Sequence, residues 1–225
     1  MLIIFLINAI AMLPEIILEP GALQCLCASA METYHRESGG FLMGKMVTRT
    51  VRKRPKKMLL ITAVYPQQTA RRGYASISDG NMKAGWRARV LLYTLSGLKG
   101  VELVGGYHTH PHDACELSKS DLNYLYEEVR YHKGREGFAV MDKWLEIVVS
   151  IEKRRYITKY SEEPFHSWHL HKRKLEGIVA ADSGTGYHFT VGAFWVSKLD
   201  KEPKSEFFGL GKKKLIKEVK VHAPV

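Results

Sequence analysis

The stretch that constrains this chain most is Gly105-Gly-Tyr-His-Thr-His-Pro-His-Asp-Ala-Cys-Glu-Leu-Ser-Lys-Ser-Asp121. Its pattern predicts a strand from Val101 to His110, ended by Pro111, which cannot donate to a strand ladder. Side chains alternate along a strand, so His108 and His110 are expected on one face, about 7 Å apart. The next helix is expected to begin at Asp121.

These residue types match the needs of a metal site. Two histidines and one carboxylate, with water in the fourth position, form an open catalytic zinc site. Each part is weak alone, because Ser118-Lys-Ser-Asp121 also has the pattern of a capping box at a helix start. The combined pattern, His-x-His-Pro followed by Ser-x-x-Asp, predicts one zinc ion per chain.

The same pattern resembles the motif of the JAMM (MPN-plus) zinc metalloproteases. That family also carries a glutamate in the setting Glu-x-x-Gly-x-Leu-x-Gly, which residues 37–44, Glu-Ser-Gly-Gly-Phe-Leu-Met-Gly, match. The resemblance covers roughly residues 14–151, and residues 191–196 resemble a late strand of the family.

The resemblance implies a role for each matching residue. His108, His110 and Asp121 would bind zinc. Glu37 would take a proton from the zinc-bound water and return it to the leaving amine, and Ser118 would donate a hydrogen bond to the oxyanion. Glu37 is favoured over other glutamates, such as Glu32 and Glu102, by its glycine-rich context.

The resemblance also implies a fold. We expect an α/β fold with a single curled mixed β-sheet flanked by helices, the MPN or cytidine-deaminase-like type, with a basic insertion and a C-terminal extension. The expected organisation is an apolar N-terminal segment (1–13), a catalytic domain (14–197) with an insertion at 152–186, and a lysine-rich extension (198–225). The chain has 225 residues, with 45% hydrophobic and 25% charged, which are ordinary globular values.

Local patterns predict the remaining elements. The expected strands are 15–19, 37–44, 58–65, 101–110, 144–151 and 187–196, with a final strand near 216–221. The expected helices are 21–34, a helix that follows Asp79 and carries an apolar stripe at Met82, Trp86, Val90 and Tyr93, and 121–132. Between the second and third strands, residues 49–57 hold six basic residues and no acid. We interpret them as a solvated, hairpin-like loop, or alternatively as a basic contact patch.

The implied activity is that of a metallo-isopeptidase that removes ubiquitin or a ubiquitin-like modifier by cleaving after its C-terminal glycine. One alternative is trimming of a small sulfur-carrier protein to expose Gly-Gly. Another is a non-catalytic basic scaffold that binds protein or nucleic acid. The net charge of +11 favours an acidic partner such as a modifier body, whereas no nucleic-acid motif is present, so nucleic acid is not expected. A homodimer or a larger assembly stays open.

The N-terminal segment and the cysteines say less about the function of the chain. Residues 2–13 are too short for a membrane span, which needs about 20 residues. Three interpretations are open. The segment is a buried strand or helix, or it precedes a true start at Met12, or it contacts a partner protein or a membrane. Without a targeting signal, a cytoplasmic location is expected. Cys25, Cys27 and Cys115 are expected to be buried thiols in a reducing environment.

Three other features near or outside the motif are expected to play no part in metal binding. His112 is expected in a loop, not as a fourth ligand, and Cys115 is not expected to reach the metal. A second histidine cluster, at His166, His169 and His171, lacks a matching carboxylate or cysteine and is not expected to bind a metal.

Overall fold

The structure is a computed structural model that describes residues 13–68, 71–72, 77–78, 87–88, 90–92, 94, 100–131, 143–155, 165–182, 185–197 and 216–223. Its strands are β1 (Glu15–Leu18), β2 (Gly39–Val51), β3 (Arg54–Pro66), β4 (Arg71–Arg72), β5 (Ile77–Ser78), β6 (Glu102–Pro111), β7 (Lys143–Arg155), β8 (Phe165–His171), β9 (Lys174–Asp182), β10 (Thr185–Ser197), β11 (Ile216–Val219) and β12 (Val221–His222). Its helices with continuous bounds are α1 (Pro20–Glu32) and α2 (Lys119–Tyr131).

Most of the strands belong to one mixed sheet, with the order β12-β1-β3-β2-β6-β7-β10-β9-β8 and with β11 also paired to β10. The last two strands connect distant parts of this sheet. Strand β11 runs antiparallel to β10, and β12 follows directly and runs parallel to β1. The chain from Ile216 to His222 therefore bridges β10 and β1, and the sheet nearly closes into a barrel.

The prediction of an α/β fold, with one curled sheet flanked by helices, is wrong. The described residues are mostly strands in a nearly closed, barrel-like mixed sheet. Residues 165–182, expected to lie in an irregular insertion, form strands β8 and β9, and the predicted extension supplies β11 and β12. These strands hydrogen-bond to edges that an open sheet would leave exposed, which is why the sheet closes instead of remaining open.

The main core lies between helix α1 and the sheet. Proline at the first helical position suits the start of α1, and the buried face of this helix carries Ala22, Leu23, Leu26, Cys27 and Ala30. They join one cluster with residues of β1, β3, β6, β7 and β10. Burying one Leu or Ile side chain stabilises a protein by about 1.5–3 kcal/mol, so this cluster holds α1 against the sheet.

Several local predictions are confirmed. The structure has strands at 15–18, 102–111, 143–155 and 185–197, helices at 20–32 and 119–131, and strands in the expected final region. Register shifts near Met43 and Gly44 mark the irregularity that glycine in a strand predicts. Of the predicted apolar stripe, Val90 is helical, whereas Met82, Trp86 and Tyr93 lie outside the described residues.

The basic stretch 49–57 forms a hairpin as predicted, but its strand pairing extends further than expected. Strands β2 and β3 continue through it, and only Arg52 and Lys53 form a turn, with φ of 48° and 63°. Positive φ at both central residues is what a two-residue type I′ hairpin requires. All its residues are exposed except Lys56, whose Nζ lies 2.6 Å from Glu15 Oε1.

Two remaining expectations concern the apolar N-terminal segment and membrane-spanning helices. The apolar residues 1–12 lie outside the described part of the chain, so none of the three interpretations of this segment is tested. Among the described residues, no helix combines the length and the apolar character that a membrane crossing demands.

Gly105 marks the closest approach between β6 and β7. It is paired with Leu145 in the parallel ladder, and a Cβ atom on Gly105 would overlap the backbone carbonyl oxygen of Leu145. A backbone oxygen cannot move aside as a flexible side chain does. Glycine at this position therefore permits the register that aligns the two strands.

We expect Gly105→Ala to lower the free energy of unfolding by about 3 kcal/mol, because the added methyl group forces β6 and β7 apart. Gly21→Ala is the matched control, since a Cβ at Gly21 meets no atom within 4 Å. Urea denaturation of both variants measures the difference. Equal stability of the two variants would contradict the close approach.

Candidate metal centre

Strand β6 holds His108 and His110 on one face, where 7% and 5% of their surfaces are exposed. The intervening Thr109 faces the opposite side, because side chains alternate along a strand. Its amide donates to the Ser38 carbonyl oxygen at 2.8 Å, and its Oγ1 accepts a hydrogen bond from the Ser38 amide at 2.8 Å. These bonds fix the histidine-bearing segment of β6 to the chain just before β2.

Asp121 lies in the first turn of α2. Its amide donates to Ser118 Oγ at 3.2 Å, and the Ser118 amide donates to Asp121 Oδ2 at 2.7 Å. This reciprocal pair is a capping box, which satisfies two amides that a helix start leaves without partners. The cap fixes the direction of the carboxylate, and the helix dipole favours a negative charge there.

The structure brings His108, His110 and Asp121 together as a group that could hold a metal ion. The two Nε2 atoms are 3.1 Å apart, and Asp121 Oδ2 lies 3.5 Å from Nε2 of His108 and 3.4 Å from Nε2 of His110. In a tetrahedral zinc site with bonds of about 2.0–2.1 Å, neighbouring ligand atoms are about 3.3 Å apart. The spacing of the three atoms therefore fits one zinc-sized ion.

The hydrogen bonds behind the imidazoles also fit a metal. Glu146 Oε1 lies 2.7 Å from His108 Nδ1, and the Ala114 carbonyl oxygen lies 3.0 Å from His110 Nδ1. Both partners are acceptors, so each neutral ring carries its proton on Nδ1 and turns the Nε2 lone pair toward Asp121. Three converging lone pairs repel each other unless protons or a metal cation lie between them, so the site can hold either.

The electrostatics of the metal-free site lead to the same conclusion. Burial opposes protonation of His108, but the carboxylates of Asp121 and Glu146 raise its pKa to about 10. Burial also opposes protonation of His110, and its hydrogen bonds to Asp121 and Ala114 O nonetheless raise its pKa. Burial alone would raise the pKa of Asp121, whereas the hydrogen bonds with both imidazoles hold it well below its usual range. The site therefore favours positive charge among its three side chains.

Glu37 lies beside this group. It is 9% exposed and comes two residues before Gly39, which pairs with His108 across the β2–β6 ladder. Burial raises the pKa of Glu37 above its ordinary value, although the charges of His108 and His110 lower it in part. A buried carboxyl with a raised pKa, next to a cation site, is suited to accept and return a proton.

Ser118 is exposed at the rim of the site. Its Oγ accepts the hydrogen bond of the capping box and lies 2.8 Å from Ser120 Oγ. The sequence left open whether Ser118 serves the helix start or the reaction, and the structure shows that it caps the helix. A hydroxyl that accepts from the Asp121 amide keeps its own proton to donate.

Two residues of the motif loop have other partners. His112 is exposed, with a φ of 60°, and its Nδ1 lies 3.2 Å from the Tyr34 hydroxyl. Cys115 Sγ donates to the Val148 carbonyl oxygen at 3.3 Å, and burial raises the pKa of its thiol to about 12. Neither residue joins the metal-binding group.

Two of the three cysteines are buried as expected, whereas Cys25 is only partly buried. All three cysteines are free, with Cys27 and Cys115 buried. The side chains of His169 and His171 are described, and neither belongs to the metal-binding group found among the described residues.

Sequence reasoning missed Glu146. This residue is 3% exposed within β7, and its Oε2 accepts a hydrogen bond from Trp144 Nε1 at 2.9 Å. The available signal was a single acid in an otherwise apolar strand, Trp-Leu-Glu-Ile-Val-Val at 144–149. A charged side chain in such a run needs a buried partner, and that partner is His108.

Sequence reasoning also missed a hydroxyl network under β2 and β6. Ser29 Oγ lies 2.9 Å from the Tyr107 hydroxyl and 3.1 Å from Ser38 Oγ. Ser38 Oγ in turn lies 3.3 Å from Thr109 Oγ1. The network ties helix α1 to both strands on the side of β6 opposite the histidines.

Comparisons with known proteins show which family this chain belongs to. No curated protein sequence matches the chain. The solution structure of protein DSY2949 from Desulfitobacterium hafniense matches with 13% identity and a TM-score of 0.46, over 93% of this chain and 92% of that one, a likeness too small to carry an argument. A family model described as prokaryotic homologs of the JAB domain matches residues 20–171. This match spans more than half of the chain, so the resemblance to the JAMM/MPN type is confirmed, and the protein belongs to the prokaryotic homologs of the JAB domain.

Proposed function

We propose that this protein is a zinc-dependent peptidase or isopeptidase that hydrolyses the bond after the C-terminal glycine of a ubiquitin-like modifier. The observation that carries the proposal is the tetrahedral spacing of the His108, His110 and Asp121 ligand atoms, with the buried Glu37 beside them. These three residues would hold the ion. Bound zinc supplies a nucleophile at neutral pH, because it lowers the pKa of a coordinated water to about 7.

Glu37 carries the proton in this reaction. Its carboxylate accepts a proton from the attacking water and then delivers it to the amine that leaves. Burial raises its pKa, which makes it a better base than an exposed glutamate. Two hydrogen bonds of 2.8 Å join Ser38 and Thr109, one donated by each backbone amide. The backbone that carries Glu37 therefore moves with the backbone that carries the histidines.

Ser118 donates a hydrogen bond to the oxygen that becomes negative when the substrate carbonyl is attacked. Its exposed position at the mouth of the site and its place next to the first turn of α2 support this role. A helix start favours negative charge, so the donor acts in a region of favourable potential.

The substrate enters as an extended tail. Pairing between β6 and β7 ends at Pro111 and Ile151. Beyond it, β7 continues to Arg155 with no second partner among the described strands, although the Lys153 amide donates to the Tyr34 hydroxyl at 3.0 Å. An extended peptide adds to such an edge through main-chain hydrogen bonds. The positive charge of the chain, +11, steers an acidic modifier body toward the protein.

We expect the purified protein to bind one zinc ion per chain, more tightly as the pH rises from about 6 to about 9. Burial disfavours the proton on His108, but Asp121 and Glu146 raise its pKa to about 10, so the metal-free imidazole is protonated at neutral pH. Zinc must displace this proton. Titration calorimetry in buffers of different ionisation enthalpy measures the affinity and the protons released.

The double variant His108→Ala/His110→Ala is expected to lose zinc. His169→Ala/His171→Ala is the matched control, because it removes a second His-x-His pair from a strand, β8, and should retain zinc. A wild-type protein that takes up no zinc on addition would overturn the metalloenzyme proposal.

Glu37→Gln is expected to lower the rate of hydrolysis of a ubiquitin-like fusion by about 10²–10⁴-fold, the usual contribution of a positioned acid–base group. Zinc content should stay unchanged, since Glu37 is not among the ligands. Glu102→Gln is the control, because Glu102 lies on β6 six residues before His108, about 20 Å away. Wild-type activity in Glu37→Gln would exclude Glu37 as the proton carrier.

Ser118→Gly separates the two roles of this serine. Glycine is an acceptable helix cap that costs only a few tenths of a kcal/mol relative to serine, but it cannot donate a side-chain hydrogen bond. We expect kcat to fall by about 10²–10³-fold while the melting temperature changes little. Ser118→Thr keeps both the cap and the hydroxyl donor and should stay active. An unchanged kcat in Ser118→Gly would show that Ser118 only caps the helix.

A further inference from the structure

We propose that Glu146 and Trp144 form a buried clamp that fixes His108 in the ring orientation and tautomer required of a metal ligand. Glu146 is then a positioning residue, which acts on the metal through His108. The inference rests on the proposed metal site and deepens it, because it assigns residues outside the recognised motif to the affinity of that site.

The clamp is complete in its hydrogen bonds. Glu146 Oε1 lies 2.7 Å from His108 Nδ1, and Glu146 Oε2 accepts from Trp144 Nε1 at 2.9 Å. Two N–H donors meet two carboxylate oxygens, so each oxygen has its own donor. Because Trp144 holds one oxygen, the other is directed at the imidazole.

Burial makes this arrangement unusual for a side chain with only a structural role. The side chains of Glu146 and His108 are 4% and 9% exposed, and a buried carboxylate is costly unless a positive group compensates it. His108 holding a cation would have a polarised ring and a stronger Nδ1–H donor. The carboxylate and the cation therefore stabilise each other through the imidazole.

The neighbouring strand leaves room for the clamp. Gly106 pairs with Glu146 across the parallel ladder, and a Cβ on Gly106 would lie 3.1 Å from Glu146 Oε2 and 3.2 Å from the Trp144 ring. It would also lie 3.1 Å from the Gly40 carbonyl oxygen. Gly106 is therefore part of the same arrangement, because a side chain at this position would press on both Glu146 and Trp144.

Glutamine at position 146 tests the carboxylate itself. Its amide offers one acceptor and one NH₂ group, so it cannot accept from both Trp144 and His108. We expect Glu146→Gln to weaken zinc binding by about 10–100-fold, as measured by competition with a chromogenic chelator. In the zinc-loaded protein, the Nδ1–H signal of His108 in ¹H–¹⁵N spectra should move upfield as its hydrogen bond weakens.

Trp144→Phe tests the second half of the clamp. This variant keeps the ring but removes the donor to Oε2, so it should weaken zinc binding less than Glu146→Gln does. In the double variant the glutamine oxygen is free to face His108. The loss in affinity should therefore be smaller than the product of the two single losses.

Glu15→Gln is the matched control. Glu15 is also a partly buried carboxylate bonded to a histidine, with Oε2 2.7 Å from His222 Nε2, but it belongs to β1 and is not part of the metal-binding group. This variant should lower stability without changing zinc affinity. Melting curves of all variants in the presence of a chelator separate loss of fold from loss of metal.

The outcomes distinguish this inference from the proposed function. Wild-type zinc affinity and an unmoved His108 signal in Glu146→Gln would overturn the clamp, while a zinc-binding, active wild type would leave the proposed function intact. Absence of zinc binding by the wild type would overturn both. A selective loss of affinity in Glu146→Gln, with stability equal to that of the Glu15→Gln control, would establish the clamp.

Discussion

The register of β6 with its two neighbours positions the two histidines of the candidate metal centre and the glutamates beside them. His108 lies opposite Gly39 of β2 and Val148 of β7, so Glu37 and Glu146 approach the same imidazole from different sides. A shift of one residue would turn both histidines to the opposite face. Gly105 and Gly106 permit this register, because a Cβ at either position would press on β7.

Several residues at the centre serve folding and chemistry with the same atoms. Asp121 Oδ2 accepts the Ser118 amide of the capping box and also faces both Nε2 atoms. The cap therefore orients a ligand at no additional cost in side-chain entropy. The hydroxyl network under β6 works from the other face, where Ser38 and Thr109 lock the glutamate-bearing segment to the histidine-bearing strand.

The negative charges of the site need either protons on the imidazoles or a cation to balance them. Two buried imidazoles meet the carboxylates of Asp121 and Glu146, with Glu37 close by. In the metal-free protein, protons on the imidazoles compensate the carboxylates, which explains the raised pKa values of both histidines. A metal ion held there would replace these protons, so the same residues that are stabilised by protonation in the metal-free protein would bind the ion by losing protons.

The sequence by itself determined the elements and the ligand types. The strand that ends at Pro111, the helix that begins at the Ser118–Asp121 pair and the apolar strand near 144–151 all follow from local patterns. The two histidines and the aspartate were identified because their spacing within one strand–helix unit reflects short-range geometry, in which side chains alternate along a strand and a cap defines the start of a helix.

Only the tertiary structure decided how the sheet closes and what surrounds the ligands. The pairing of β12 with β1 joins segments at opposite ends of the chain, and the sheet is nearly closed instead of the expected curled, helix-flanked sheet. Glu146 meets His108 across 38 positions of sequence, and Ser29 meets Tyr107 across 78. Such contacts depend on the register between distant strands, which local periodicity does not encode, because the same alternation fits more than one partner.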